Sequence, residues 1–278
     1  MTAPAGDERD ETDPYARIAE WYDVEHDSFT DDFELYLELL GGETRRLAIL
    51  EVGSGSGRLL AALASAGYVA TGVEPSAAMR ARHARRMAAL PEAVARRASV
   101  VAGSATALNL PADQRFDVAL LAQGVFGHLL RAEQRAAALA ALRSHLRPNA
   151  RLIVDVDLAG PRRLLESAGR LWLQGAWPTG KRLEIVEHLV VGEPGATPGV
   201  VEVTHLYDTH EQGGAVRRTL TRTPLALLSR GEVALAIQHA GYDIESLYGG
   251  YDMAPADDAS ARLIAVARCS SPPAEPSA

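Results

Sequence analysis

A single cysteine, Cys269, is present in the 278 residues. That excludes a disulfide framework and any thiolate metal centre of the usual spacing, so no bound metal is expected and a reducing compartment fits. Missing too are the basic start and apolar run of a secretory signal, because MTAPAGDERDETD is acidic and polar; the expected location is the cytoplasm. No apolar stretch approaches the length of a membrane span, since even LRPNARLIVDVDLAG carries charges at short intervals, and no membrane partner is expected. Excess positive charge is absent as well. Arg80, Arg82, Arg85, Arg86, Arg96 and Arg97 cluster, but the net charge of -8 repels a polyanion and such a run reads as the solvated face of a helix. No nucleic-acid partner is expected. Nor is there an internal repeat, and with 47% hydrophobic and 23% charged residues the composition is that of a packed soluble domain.

What is there is an alternation of apolar runs of strand length with apolar residues at helical spacing, the pattern of a parallel sheet covered on both faces. Strands are expected at 47–53, 68–74, 97–103, 115–122 and 151–157. The helices between them include one ending at Gly67, one starting after the N-cap Ser76, and one over 132–146 that stops at Pro148. After Gly160 the rhythm changes: RLEIVEHLVV, GVVEVTHLYD and AVRRTLTRT alternate, separated by GEPGATPG and a tight turn at Gly213 and Gly214, and predict an antiparallel sheet. Ser229 with Glu232 then forms a capping box, and 243–249 and 262–268 supply two last strands. The expected fold is therefore α/β: a Rossmann-like, doubly wound, seven-stranded sheet with an antiparallel β insertion, a lid, after strand five. Residues 14–160 form the core, 161–228 the inserted helix and lid sheet, and 229–269 the remainder of the core. The ends, 1–13 and 270–278, read as disordered.

The sharpest local feature is ILEVGSGSGRL, a strand running through a glycine turn into a helix, followed by GVEPS at the end of the next strand. Gly53, Gly55 and Gly57 let the backbone turn tightly and approach a ligand, while the helix start points free amides at it. Glu74 stands where a carboxylate can accept from both hydroxyls of a ribose, which implies an adenosine-type ligand. A dinucleotide site would show G-x-G-x-x-G. Here Arg58 fills the third-glycine slot, where it would crowd helix against strand.

These residues resemble the class I S-adenosylmethionine-dependent methyltransferases. The resemblance rests on LEVGSGSGR, GVEPSAAM, the GSATAL turn and LRPNARLIVDV. It implies S-adenosyl-L-methionine as cofactor. Glu51, Gly53, Ser54, Gly55 and Gly57 would surround its methionine part, Glu74 with Pro75 the ribose, and Met79, Ser104 and Ala105 the adenine. The family often has an acid where Ser104 stands. YARIAEWYD looks like the family's N-terminal helix folded over the cofactor, with Tyr15 and Tyr22 in contact and Trp21 either closing the site or packing on the core. Gln123, Gly124 and Val125 resemble the segment that passes beside the transferring methyl.

Methyl transfer needs alignment and exclusion of water; a base serves only where the acceptor arrives protonated. His128, just after strand four, is one candidate. His205 is the other, on one lid face with Tyr207, while His188 and His210 lie in the same insertion. In place of the N/D-P-P-Y/F/W motif of base-methylating enzymes the chain has AQGVFG. A small-molecule acceptor is therefore expected, with N or O, less readily C, as nucleophile. A cyclase or lyase releasing methylthioadenosine, a non-catalytic S-adenosylmethionine-binding protein, and a homodimer all remain open at this stage.

Overall fold

The computed structural model describes residues 13–41, 47–179, 184–210 and 214–270. The ends read as disordered, 1–13 and 270–278, lie outside these apart from Asp13 and Ser270, as does Gly213 of the expected lid turn.

In chain order the elements are α1 (Ala19–His26), α2 (Asp31–Leu40), β1 (Ala48–Val52), α3 (Arg58–Ser65), β2 (Val69–Glu74), α4 (Ala77–Ala88), the short α5 (Glu92–Ala95), β3 (Ala98–Ala102) and β4 (Phe116–Leu121). A 3-10 turn (Val125–His128), α6 (Ala132–Ser144), β5 (Leu146–Asp157) and α7 (Ala159–Glu166) follow. The chain then runs through β6 (Leu171–Pro178), β7 (Ile185–Pro194), β8 (Val200–His210) and β9 (Val216–Ala226), and closes with α8 (Arg230–His239), β10 (Tyr242–Tyr248) and β11 (Arg262–Cys269).

Seven strands form one sheet in the order β10-β11-β5-β4-β1-β2-β3, with β11 antiparallel to both its neighbours. The core strands are apolar on both sides. Leu50, Val52, Leu152 and Val154 pack under α6 and α8, whereas Ile49, Leu120, Ile153 and Ile264 meet Leu35, Tyr36, Leu60 and Leu63 of α2 and α3. Each such fully buried side chain contributes about 1.5–3 kcal/mol relative to exposure, so this double-sided packing fixes the register of the central strands. Because β1, β2 and β4 run parallel, their carboxyl ends emerge on one edge, and the chain crosses over between β1 and β4. That edge, at a switch in strand order, is where such sheets hold ligands.

The insertion is a four-stranded antiparallel sheet, β6-β7-β8-β9, one strand more than the sequence suggested. The extra strand β6 shifts register between Leu173 and Gly175, which breaks the alternation that marks a strand in sequence. A second difference lies at β5, where the strand starts at Leu146 and runs through Pro148 and Asn149, and the helix before it ends at Ser144. Asn149 takes a positive φ of 61° and pairing jumps from Phe116–Leu146 to Val118–Arg151, so the irregular pairing absorbs the proline.

Helix α1 lies between the two sheets. Ile18 and Trp21 pack on Val186 and Tyr207 of the lid sheet, and Asp23 pairs with Arg82 at 2.6 Å and Arg86 at 2.8 Å on α4. Two members of the basic cluster thus clamp one helix to another. Exposed pairs are worth about 0.2–1 kcal/mol each, and these half-buried ones serve chiefly to orient α1 over the sheet edge.

Candidate active site

At that edge a cavity of about 520 Å³ opens. It gathers Tyr15, Tyr22, Glu51, Gly53, Ser54, Gly55, Glu74, Pro75, Met79, Ser104, Ala105, Gln123, Val125 and His128. Of the residues expected at the site, Gly57, Gly124 and His205 are not in the lining. Gly57 begins α3 with φ 80°, and a Cβ there would lie 2.2 Å from Nδ1 of His83, so this glycine admits α4 rather than a ligand. Gly124 also has positive φ, 81°, and its N–H donates to the Asp155 carbonyl at 3.0 Å, which turns the chain after β4. His205 sits on β8 of the lid sheet. Asp13, Ser56, Arg58 and Ser76 line the cavity without having been anticipated; Ser76, read as an N-cap, does cap α4 by accepting from Met79 N–H at 3.2 Å.

The glycine turn is held from beneath. Gly53 N–H donates to the Val73 carbonyl at 2.8 Å, and Gly53 and Gly55 both have positive φ, 71° and 55°. Glu74, buried at the end of β2, accepts from Gly55 N–H at 2.9 Å through Oε2 and from Ser76 N–H at 2.8 Å through Oε1. Each oxygen keeps a further lone pair. Burial raises the Glu74 pKa, opposed by the two backbone amides and Arg80 and assisted by Asp13. Glu51 is buried under the turn, and its Oε2 has no hydrogen-bond partner among the described residues. Burial, ahead of the neighbouring charges, pushes its pKa well up. An unpartnered carboxyl beside the glycine turn calls for a donor such as an amino group.

Arg58 does not crowd the strand. Its side chain turns to α2, donating to Asp32 Oδ2 at 2.5 Å and to the Phe29 carbonyl at 2.6 Å, with its guanidinium 4.4 Å from the Phe33 ring centre. Among the described residues the one arginine or lysine in the lining is thus already paired, while Glu51, Glu74 and Asp13 supply acid and Tyr15 and Tyr22 aromatic surface. This donor set suits a ligand with ribose hydroxyls, an ammonium and a sulfonium, and offers a pyrophosphate little. S-adenosylmethionine fits these residues.

Tyr22 reaches over the turn, its hydroxyl 3.7 Å from where a Gly55 Cβ would stand. Tyr15 shares a hydrogen bond of 3.2 Å with Nε2 of His128. Burial raises both phenols, with acidic or phenolic neighbours adding, and burial lowers His128, so this wall is neutral at pH 7. Trp21 takes no part in the lining; it stacks on Tyr207 of the lid at 5.4 Å. His210 pairs with Glu187 at 3.0 Å, both half-exposed.

Replacing Glu74 by alanine removes the anchor of Gly55 and Ser76 together with any ribose contact. The expected loss of S-adenosylmethionine affinity is about 1.5–3 kcal/mol, the range for hydrogen bonds to a charged group, and Glu74→Gln should lose less. Titration calorimetry reads both. Unchanged affinity in folded Glu74→Ala would remove Glu74 from the site.

Residues 50–152 match the methyltransferase domain family. Among curated proteins no relative is detected by sequence. Solved structures share the fold at low identity. The CcbJ methyltransferase from Streptomyces caelestis is 22% identical with a TM-score of 0.76, over 95% of this chain and 100% of that one. CalS10, an S-adenosylmethionine-bound amino pentose methyltransferase from Micromonospora echinaspora, is 19% identical with a TM-score of 0.66, over 87% and 93%. The sugar N-methyltransferase KedS8 from Streptoalloteichus sp ATCC 53650 is 20% identical with a TM-score of 0.62, over 96% of each chain.

Proposed function

We propose that this chain is a class I S-adenosylmethionine-dependent methyltransferase that acts on an amine of a small molecule, with an amino sugar as the leading acceptor class. The observation that carries the reading is the wall opposite the glycine turn, where buried, neutral His128 meets Tyr15 and the lid sheet with its further histidines stands beyond. Neutral imidazoles next to the acceptor can take the proton that an ammonium carries. The sugar N-methyltransferase that shares the fold supports nitrogen over oxygen, and the amino pentose methyltransferase supports an amino sugar as acceptor.

The cofactor supplies a methyl group on a sulfonium that departs as a neutral thioether. The chain's own residues bind, orient and exclude water. Glu74 and Ser76 hold one end of the pocket, Glu51 waits below the glycine turn for an amino group, and Met79, Ser104 and Ala105 line the end expected for adenine. Tyr15 and Tyr22 close the top, where an aromatic face stabilises a nearby cation by about 0.5–2 kcal/mol. Among the described residues no helix is long and apolar enough to cross a membrane; we place the reaction in the cytoplasm, on a free rather than membrane-bound acceptor.

The test is incubation of the full chain with S-adenosylmethionine and a panel of amino sugars, free amino acids and phenols, followed by mass spectrometry. S-adenosylhomocysteine formed with amines and not with phenols is the expected result. Methylthioadenosine would instead reveal a cyclase or lyase, neither product a binding protein, and turnover confined to phenols an O-methyltransferase.

A further inference from the structure

The inner face of the lid sheet carries hydrogen-bonded rings that the cofactor cavity does not use. Register pairs His188 of β7 with Tyr207 of β8 and sets His205 two residues before Tyr207 on the same face. Glu25 of α1 reaches across to them. Its Oε1 lies 2.8 Å from His188 Nδ1, its Oε2 accepts from the Tyr207 hydroxyl at 2.9 Å, and His188 Nε2 lies 3.0 Å from His205 Nδ1. The three rings are stacked, His188 on Tyr207 at 4.2 Å and on His205 at 5.2 Å. Among the described residues this group is not arranged to hold a metal ion.

We propose that Glu25 and His188 are positioning residues that hold His205 as its Nδ1–H tautomer, leaving Nε2 bare to take the proton that the acceptor's ammonium must shed. This rests on the reading of the acceptor as an amine.

The tautomers follow from donor and acceptor roles. A carboxylate only accepts, so the hydrogen between Glu25 and His188 sits on His188 Nδ1. A neutral imidazole carries one N–H, so His188 Nε2 is bare and His205 Nδ1 must donate to it. His205 Nε2 then holds a free lone pair. It has no partner among the described residues and keeps accessible surface, so it is not sealed inside the protein. In the step itself an N–H bond of the ammonium breaks and an Nε2–H bond forms. The freed nitrogen pair makes the bond to the methyl carbon, and the carbon–sulfur pair leaves with sulfur. The new imidazolium charge is spread through His188 to the Glu25 carboxylate.

The groups facing His205 act in opposite senses. Burial, then His188, lower its pKa to about 4, His128 from the turn after β4 adds to this, and Glu25 from α1 raises it. On β9 its paired residue is the uncharged Thr221, and Arg217 stands farther along the face, 5.9 Å from the Trp21 ring centre. Glu25 is therefore the group that makes proton acceptance less steep.

Histidine-labelled full-length protein, examined by two-bond proton–nitrogen NMR at pH 7.5, reads the tautomers directly, with His188→Gln and His205→Gln for assignment. His188 and His205 are both expected as Nδ1–H. In Glu25→Gln, and for His205 in His188→Gln, the ring should shift toward the Nε2–H form. With the best amine of the panel, Glu25→Gln should lower kcat roughly tenfold and, because Glu25 raises the His205 pKa, shift the acid limb of the kcat profile to lower pH at constant KM for S-adenosylmethionine; His205→Gln should cost a hundredfold or more. Wild-type His205 found as Nε2–H, or a Glu25→Gln protein with unchanged tautomers or an unchanged pH profile, overturns the proposal. If no amine yields S-adenosylhomocysteine, the amine reading fails on its own, and the tautomers still decide whether Glu25 and His188 set the state of His205.

Discussion

Gly53→Ala is expected to weaken S-adenosylmethionine binding by at least about thirtyfold, a loss of about 2 kcal/mol. Two costs combine. The residue sits at φ 71°, where a left-handed conformation costs any side chain about 1–2 kcal/mol. The new Cβ would also lie 2.5 Å from Cγ2 and 3.1 Å from Cγ1 of Val125, and such overpacking costs about 1–3 kcal/mol. Relief comes only by moving Val125, which begins the 3-10 turn carrying His128 and is itself cavity wall, so strain becomes a distorted pocket. Adding Val125→Ala should restore the part due to the clash and leave the part due to φ. Gly57→Ala is the control: its conflict is with His83, away from the lining, so it should lower the urea midpoint while changing affinity less than about threefold. Calorimetry on the four proteins separates the terms. Wild-type affinity in Gly53→Ala would mean that the backbone at this turn does not face the ligand.

That pair of glycines shows what the chain discloses by itself. Both are legible as turn-formers, since φ above zero favours glycine anywhere; which one faces the ligand depends on which way α4 packs, and His83 settles that from 26 residues further along (83 − 57). Glu74 was legible because the order strand, glycine turn, helix, strand dictates which strand ends meet. The extra lid strand was not, because a register shift at Gly175 disrupts its alternation and its outer Leu171 and Leu173 are exposed rather than buried. His205 and Tyr207 could be put on one face from alternation. Their acidic partner could not be found, because Glu25 stands 163 residues from His188 and reaches it only through the packing of α1 against the lid. Arg58 teaches the same point: its slot in the motif suggested crowding, whereas Asp32 on α2, 26 residues away, draws the side chain aside.

The buried carboxylate behind the active-site edge should matter more to stability than any side chain in the cavity. Asp155, fully buried near the end of β5, accepts from Tyr36 at 2.7 Å and Tyr251 at 2.9 Å and pairs with Arg262. Tyr251 in turn accepts from Gln123 Nε2 at 2.9 Å, and Gln123 Nε2 reaches Asp32, the partner of Arg58, also at 2.9 Å. One polar network thus joins α2, the end of β4, β5, β11 and the start of α3. Asp155→Ala leaves two phenols and a guanidinium without their acceptor, and breaking a buried pair in this way costs about 3–5 kcal/mol. Asp155→Asn keeps the shape and one acceptor, so about 1–3 kcal/mol is expected, the cost of the lost charge-assisted bonds. Urea unfolding measures both. The network also bears on binding, because Gln123 has a positive φ of 50° and its conformation persists only where surrounding contacts impose it. Asp155 also accepts from Gln123 N–H at 3.4 Å, so in Asp155→Asn, still folded, S-adenosylmethionine affinity should fall, and Tyr251→Phe, which removes a link without burying a charge, should lower it by less. If both variants lost stability yet bound the cofactor as the wild type does, the turn after β4 would owe its shape to its own backbone, and the network would be a brace for the sheet alone.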